Sequence, residues 1–173
     1  YSSPHYHPMS QGIALEGMRL VTTYLPRAYT TPDDLEARAH MMSAAAMGAT
    51  AFQKGLGAIH AMSHPVGAVF NTHHGTTNAV CMPAVLAFNA DAIRGRFDQA
   101  AAYLGIDGGF DGFCEFVQQF NDSFAIPRTL TEMGVSADRL DDLVAMALED
   151  PSCGGNPVEL TADGLCGLFR ACF

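Results

Sequence analysis

Three histidines between residues 60 and 74 are the side chains of this sequence best suited to carry out chemistry. His60 and His64 are four residues apart, so on a helix both imidazoles lie on one face, about 6 Å apart at their Cβ atoms. His74 follows after a short turn and can fold back towards them. Imidazole is a ligand for zinc and ferrous iron, whose coordination shell is completed by a carboxylate or water. The spacing therefore predicts a metal site, and it leaves open which two of the three histidines would bind the ion.

The remaining four histidines carry weaker expectations. His5 and His7 form a His-x-His pair in a loop-like opening, where they are most simply surface residues with at most a weak affinity for metal. His40 belongs to a stretch rich in alanine and methionine, and it is expected to pack within the core or at its rim. His73 directly precedes His74 and adds a titratable group beside it.

The elements that must position these side chains are helices. Apolar residues recur at three- and four-residue steps along most of the chain, as amphipathic helices require, and no convincing strand is present. We therefore expect an all-α domain. The alanine- and methionine-rich helix over 32–52 is expected to be buried at the centre, and Pro83 predicts a kink in another helix. The predicted helices cover residues 11–25, 32–52, 56–69, 76–88, 91–104, 110–124, 136–149 and 161–172.

Length and composition limit the possible functions. The 173 residues are 49% apolar, which suffices for a single globular domain with a sizeable core. A net charge of −9, with only nine unclustered Lys and Arg residues, argues against nucleic acid and anionic membranes as partners. No apolar run approaches the roughly 20 residues of a membrane span. The five cysteines lack Cys-x-x-Cys spacing, so we expect reduced thiols in the cytoplasm and no structural zinc site.

A longer pattern spans residues 55–89. It reads GLGAIHAMSHPVGA over residues 55–68, continues with His74-Gly75 and with NAVCMP over residues 78–83, and ends at Phe88-Asn89. This pattern resembles the signature of the iron-containing (group III) alcohol dehydrogenases. The resemblance extends over nearly the whole chain. Further segments similar to the family are LEG at 15–17, YLP at 24–26, PRTL at 127–130, DP at 150–151 and NP at 156–157.

The resemblance implies a fold and a set of roles. Residues 1–173 would form the multi-helix C-terminal domain of such an enzyme, a dehydroquinate synthase-like α-domain. In this family one Asp and three His hold a metal ion, and His60 and His74 match two of those histidines. His64 matches a histidine that lies in the active-site pocket close to cofactor and substrate without binding the metal, where it could orient groups or relay a proton. The metal is expected to be iron(II), with zinc or another divalent ion as alternatives, and the cofactor NAD or NADP.

Two parts of the family pattern fall outside these residues. The remaining ligands come from an Asp-x-x-x-His motif expected just upstream, and NAD(P) is bound mainly by an N-terminal α/β domain that is expected to be missing from the chain. The chain is thus expected to be part of an NAD(P)-dependent enzyme for a small alcohol or aldehyde. By itself it should be inactive and bind metal weakly, because two ligands leave the coordination shell incomplete. Its expected partners are that substrate, the missing domain and further copies of itself in a homo-oligomer.

Other interpretations stay open. The histidines could be structural in a non-catalytic metal-binding or dimerisation module, or the chain could belong to a maleylacetate reductase or hydroxyacid–oxoacid transhydrogenase branch of the family. The presence of both His60 and His74 favours a metal-dependent member without identifying its substrate. His73 departs from the family pattern, which has proline at this position.

Overall fold

The computed structural model describes residues 1–173 and is built from helices without a strand, so the predicted all-α fold class is confirmed. Three short 3-10 helices, Phe52–Lys54, Ala137–Arg139 and Pro151–Gly155, lie in the connections. None of the helices combines the length and the apolar character that crossing a membrane would require. The α-helices are α1 (Pro8–Thr30), α2 (Leu35–Ala51), α3 (Ala58–Phe70), α4 (His74–Phe88), α5 (Ala90–Leu104), α6 (Gly109–Ser123), α7 (Leu140–Glu149) and α8 (Ala162–Cys172).

The first two helices differ from the prediction at their ends. α1 was expected to end before Pro26, but it continues to Thr30. Proline lacks the backbone N–H that a helix residue normally donates. The Pro26 carbonyl is still hydrogen-bonded, because it accepts from Thr30 Oγ1 at 2.9 Å in the last turn. α2 begins later than predicted, at Leu35, since the Asp34 carboxylate caps it by accepting a hydrogen bond from Ala37 N at 2.9 Å.

One hydrophobic core lies among α3, α4, α7 and α8. Its most enclosed side chains, Met62, Leu143, Leu165 and Phe169, are fully buried. Burial of a large apolar side chain contributes roughly 1.5–3 kcal/mol, so this core fixes how α3 and α4 lie relative to each other. These are the two helices that carry the histidines of the predicted metal site.

A second core joins α5 and α6 to the middle of the fold. It is largely aromatic: the Phe97 ring lies 4.8 Å from that of Phe113 and 6.2 Å from that of Phe110, both in edge-on arrangements. Leu86 of α4 belongs to the same buried cluster. The two cores therefore meet at α4, which holds α5 and α6 against the histidine-bearing half of the domain.

The alanine- and methionine-rich helix is not the buried central helix that the sequence predicts. α2 packs mainly against α1, and its buried residues Ala37, Ala44 and Ala51 form one narrow stripe at seven-residue intervals. Met42, on another side, is 75% exposed. The prediction is wrong because small apolar residues occur on every side of this helix, so composition cannot tell which side is buried.

A cavity of about 550 Å³ lies between the α1–α2 hairpin and helices α4 and α6.

Lys54 and Arg96 hold the segment that precedes α1. The Lys54 ammonium donates to the carbonyls of Tyr1, at 3.0 Å, and of Ser3, and Ser3 Oγ donates to the Lys54 carbonyl at 2.7 Å. Arg96 Nη1 donates to the carbonyls of Ser2 and Ser3 at 3.0 and 2.8 Å. Burial of Lys54, followed by the nearby charge of Arg96, lowers the pKa of the lysine to about 8. The N-terminal segment is thus fastened to the loop that leads into α3.

Candidate metal and active site

Asn156 holds the beginning of the helix that carries His60 and His64. This helix, α3, starts at Ala58 without a capping side chain of its own. Asn156 provides the cap from a distant loop, because its Oδ1 accepts a hydrogen bond from Ala58 N at 3.1 Å. Gly57 leaves the space for this contact, since a Cβ atom there would lie 3.0 Å from Asn156 Oδ1. The first turn of α3, and with it His60, is therefore positioned by a residue almost one hundred positions away.

Asn156 is in turn fixed by Asn89 at the end of α4. Asn89 Nδ2 donates to Asn156 Oδ1 at 3.0 Å, and Asn156 Nδ2 donates to Asn89 Oδ1 at 2.9 Å and to the Val158 carbonyl at 2.7 Å. Both side chains are buried, with 3% and 8% exposure. Buried amides of this kind are tolerated only when their hydrogen bonds are satisfied. The pair thus joins the start of α3, the end of α4 and the loop after α7.

A tight turn returns the chain so that α4 lies beside α3. Asn71 ends α3 in the left-handed conformation, at φ 54°, with its N–H bonded to the Gly67 carbonyl. His73 then caps α4, because its Nδ1 accepts a hydrogen bond from Thr76 N at 3.3 Å. Helix α4 consequently begins at His74, two residues earlier than predicted. The structure gives His73 a local role in starting this helix.

The fold brings the three predicted site histidines together, and we call His60, His64 and His74 the histidine cluster. The ring centroids are 5.6 Å apart for the first two, 5.3 Å for the first and third, and 5.5 Å for the last two. The rings of His64 and His74 are stacked, with 14° between their planes, whereas that of His60 is inclined by 52° to that of His74. No group of three or more His, Cys, Asp or Glu side chains is arranged by itself to hold a metal ion.

Two members of the cluster have hydrogen-bond partners that sequence reasoning missed. His64 Nδ1 lies 2.7 Å from Asp150 Oδ2, and Asp150 comes from the loop after α7. His74 Nε2 lies 3.1 Å from the side-chain amide of Asn78, one turn along α4. In the sequence, only the family pattern pointed to these two partners. It includes Asp150-Pro151 and Asn78, but it does not indicate which residues they contact.

His60 is the most enclosed histidine of the cluster. Its burial, followed by the neighbouring His74 and His64, lowers the pKa of the imidazole, and the more distant Asp150 opposes this shift only in part. A lowered pKa keeps the ring neutral, which is the form that binds a metal ion. The ring also lines the cavity between the helical hairpin and α4, whose walls are otherwise mainly apolar.

The other histidines stay outside the cluster. His7 caps α1, since its Nδ1 accepts a hydrogen bond from Ser10 N at 3.1 Å. His40 stacks on Tyr24 with 3.9 Å between ring centroids, so its expected packing role is confirmed. His5 packs beside Gly55, where a Cβ atom would lie 3.3 Å from its ring. The His-x-His pair at the start of the chain therefore has structural contacts, and it does not extend the histidine cluster.

Comparison with known proteins extends this description to the family level. The model of the C-terminal part of the Fe-containing alcohol dehydrogenase family matches residues 1–173. The 4-hydroxybutyrate dehydrogenase of Cupriavidus necator is 39% identical over 171 residues, and the NAD-dependent methanol dehydrogenase of Bacillus methanolicus is 34% identical over 171 residues. Each alignment covers 94% of this chain, but it covers only 44% and 45% of the two relatives.

Solved structures agree with the sequence relatives. A 1,3-propanediol oxidoreductase superposes with a TM-score of 0.94 at 28% identity, over 100% of this chain and 47% of the other. An iron-containing alcohol dehydrogenase from Corynebacterium glutamicum superposes with a TM-score of 0.83 at 30% identity, over 98% and 47%. The chain thus spans about half the length of the relatives that it matches. It belongs to the Fe-containing alcohol dehydrogenase family, and it corresponds to the C-terminal domain of that family.

Proposed function

We propose that this chain is the metal-carrying part of an NAD(P)-dependent alcohol dehydrogenase that interconverts a small primary alcohol and its aldehyde. The meeting of His60, His64 and His74, in a chain that matches this family over its whole length, is the observation that carries the proposal. Relatives are named for 4-hydroxybutyrate, methanol and 1,3-propanediol, and each of these compounds has a primary hydroxyl group. NAD or NADP would be bound mainly by a domain outside residues 1–173, and the whole protein would be a homo-oligomer.

His60 and His74 are the metal ligands that we propose within this chain. With metal–nitrogen bonds of about 2.1 Å, two imidazoles that share one ion have ring centroids at most roughly 6.5 Å apart, and these two are 5.3 Å apart. The rings of His60 and His64 lie at a similar separation, 5.6 Å, so the choice of His60 and His74 rests on their match to the family pattern. The donors suit iron(II) or zinc, and further ligands would come from outside this chain.

The residues of the chain then have separate tasks. Metal and nicotinamide, when bound, supply a Lewis acid for the substrate oxygen and a carrier for the hydride. His60 offers a neutral nitrogen, because burial and its neighbouring histidines lower its pKa. His64 is not a ligand in this proposal. Its half-exposed ring, 5.5–5.6 Å from the other two, can exchange a proton between the substrate hydroxyl and solvent.

The proposal is tested on the full-length protein that contains this chain. We expect NAD(P)-dependent oxidation of primary alcohols that is lost on chelation and restored by iron(II) or zinc. His60→Ala and His74→Ala should each lower turnover at least about 100-fold and abolish stoichiometric metal binding. His40→Ala is the matched control, because this histidine packs on Tyr24 away from the cluster, and it should keep both. Full turnover in His60→Ala would refute the proposed role of the metal.

A further inference from the structure

A carboxylate from a distant loop lies directly against the histidine cluster. Asp150 Oδ2 is 2.7 Å from His64 Nδ1, and Asp150 is the one side chain hydrogen-bonded to this imidazole. The Asp150 side chain is 12% exposed, while that of His64 is 43% exposed. We propose that Asp150 is a positioning residue that fixes His64 as the tautomer with its proton on Nδ1, so that Nε2 is left unprotonated.

The direction of the hydrogen bond follows from the ionisation of the carboxyl group. Burial alone would raise the pKa of Asp150, but hydrogen bonds from Ser152 and His64 outweigh it and leave the pKa below its usual range. Asp150 is therefore a carboxylate near neutral pH, and a carboxylate can only accept hydrogen bonds. The hydrogen between the two side chains consequently belongs to His64 Nδ1.

The carboxylate is also held in place. Its Oδ1 accepts a hydrogen bond from Ser152 N at 2.8 Å and so caps the 3-10 helix Pro151–Gly155. Pro151 restricts the backbone next to it, and the same segment is anchored a few residues later by the buried amide of Asn156. Each oxygen thus has its own task, since Oδ1 caps the short helix and Oδ2 orients His64. A carboxylate anchored in this way can hold the imidazole in one tautomer and one orientation.

The catalytic consequence rests on the proposed function. If His64 exchanges a proton with the substrate hydroxyl, the atom that does so must be Nε2, because Nδ1 is engaged with Asp150. The tautomer decides whether Nε2 has a lone pair ready to accept that proton. Asp150 would then act on the reaction through His64, without itself touching the substrate or the metal.

The tautomer can be measured on the full-length protein that contains this chain, without metal, by nitrogen-15 NMR of the imidazole rings at about pH 9, well above an ordinary imidazole pKa of about 6.5. His64→Gln assigns the signals. The original chain should show the proton of His64 on Nδ1. In Asp150→Asn the remaining oxygen can still cap Ser152 N, since Asn and Asp cap about equally well. Its amide nitrogen would donate to Nδ1, and the proton should move to Nε2.

Glu149→Gln is the matched control. Glu149 is the neighbouring carboxylate and is exposed, so its replacement should leave the His64 signals unchanged. A proton on Nε2 of His64 in the original chain overturns the proposal, and this measurement decides even if Asp150→Asn does not fold. An unchanged tautomer in folded Asp150→Asn overturns it as well.

Kinetics of the full-length protein provide a separate test of the positioning role. With metal and NAD(P) present, Asp150→Asn should lower kcat about 10- to 100-fold, with KM changed by less than about 2-fold. Its metal content should equal that of Glu149→Gln, because the lost bond orients His64 and not a proposed ligand. Equal kcat values for these two variants would overturn the role of Asp150. A full-length protein without any alcohol dehydrogenase activity would refute the proposed function. The tautomer measurement would still test, independently of that activity, whether Asp150 fixes the proton of His64 on Nδ1.

Discussion

Replacing Asn156 by alanine should loosen the start of α3 and destabilise the whole domain. Four hydrogen bonds of 2.7–3.1 Å end on this side chain, one with Ala58 N, two with Asn89 and one with the Val158 carbonyl. Alanine removes all four. Their partners are left in a region where Asn89 is 3% exposed and Asn156 itself only 8%, so water can replace few of the lost contacts.

The magnitude follows from the groups left behind. A buried polar group without a partner costs about 1–3 kcal/mol, and loss of a helix N-cap costs roughly 0.5–2 kcal/mol. The Asn89 amide can turn towards the space that alanine leaves, which recovers part of this loss. We therefore expect the free energy of unfolding to fall by about 3–5 kcal/mol. This would be a large share of the stability of a domain of this size.

Urea unfolding of the 173-residue chain measures the effect. The midpoint should fall while the slope of the transition stays the same, because the surface exposed on unfolding changes little. Asn121→Ala is the control, since it removes a single hydrogen bond, from Asn121 Nδ2 to the Ala79 carbonyl at 3.1 Å, and should cost about 1 kcal/mol. If Asn156→Ala costs no more than Asn121→Ala, the argument that the amide pair holds the two helices is refuted.

Two further predictions concern the loop that leads into α3. Gly57→Ala should destabilise the chain by about 1–3 kcal/mol, because its Cβ would lie 3.0 Å from Asn156 Oδ1. Gly95→Ala in α5 is the control, because a Cβ atom there would have no other atom within 4 Å, and it should stabilise the chain by about 0.5–1 kcal/mol. Equal urea midpoints for Gly57→Ala and Gly95→Ala would contradict the prediction. The pKa of Lys54 is about 8 in the folded chain and 10.5 ordinarily, so between these values the unfolded chain binds more protons and stability should rise with pH. The difference in the free energy of unfolding between the original chain and Lys54→Met should therefore increase from about pH 8 to pH 10.5. A constant difference would show that burial does not lower the pKa of Lys54.

Local pattern was sufficient to locate the helices. Each of the eight predicted helical stretches is a helix in the structure, because repetition of apolar residues at three and four positions is a local property of the chain. The ends were less accurate. α1 continues past Pro26, and α4 begins two residues early because His73 caps it. The position of a helix end depends on single hydrogen bonds, and the spacing of apolar residues does not predict these.

The histidine cluster was only partly predictable. The four-residue spacing of His60 and His64 and the nearby turn before His74 indicated that three imidazoles could meet, and the structure brings them within 5.6 Å. The resemblance to the family assigned His60 and His74 to the metal and His64 to the pocket. That assignment remains a prediction, and it rests on the family pattern.

The sequence by itself determined an all-helical domain, its family and the three histidines that meet. Only the tertiary structure decided which of 18 acidic side chains orients His64, which amide caps α3 and which side of α2 is buried. The contacts concerned join residues 86 and 98 positions apart. Helix periodicity arises from neighbours within a turn or two, whereas these contacts form only after two hydrophobic cores have set the relative positions of the helices. For that reason the local pattern predicted the helices, and the packing chose the partners of the site.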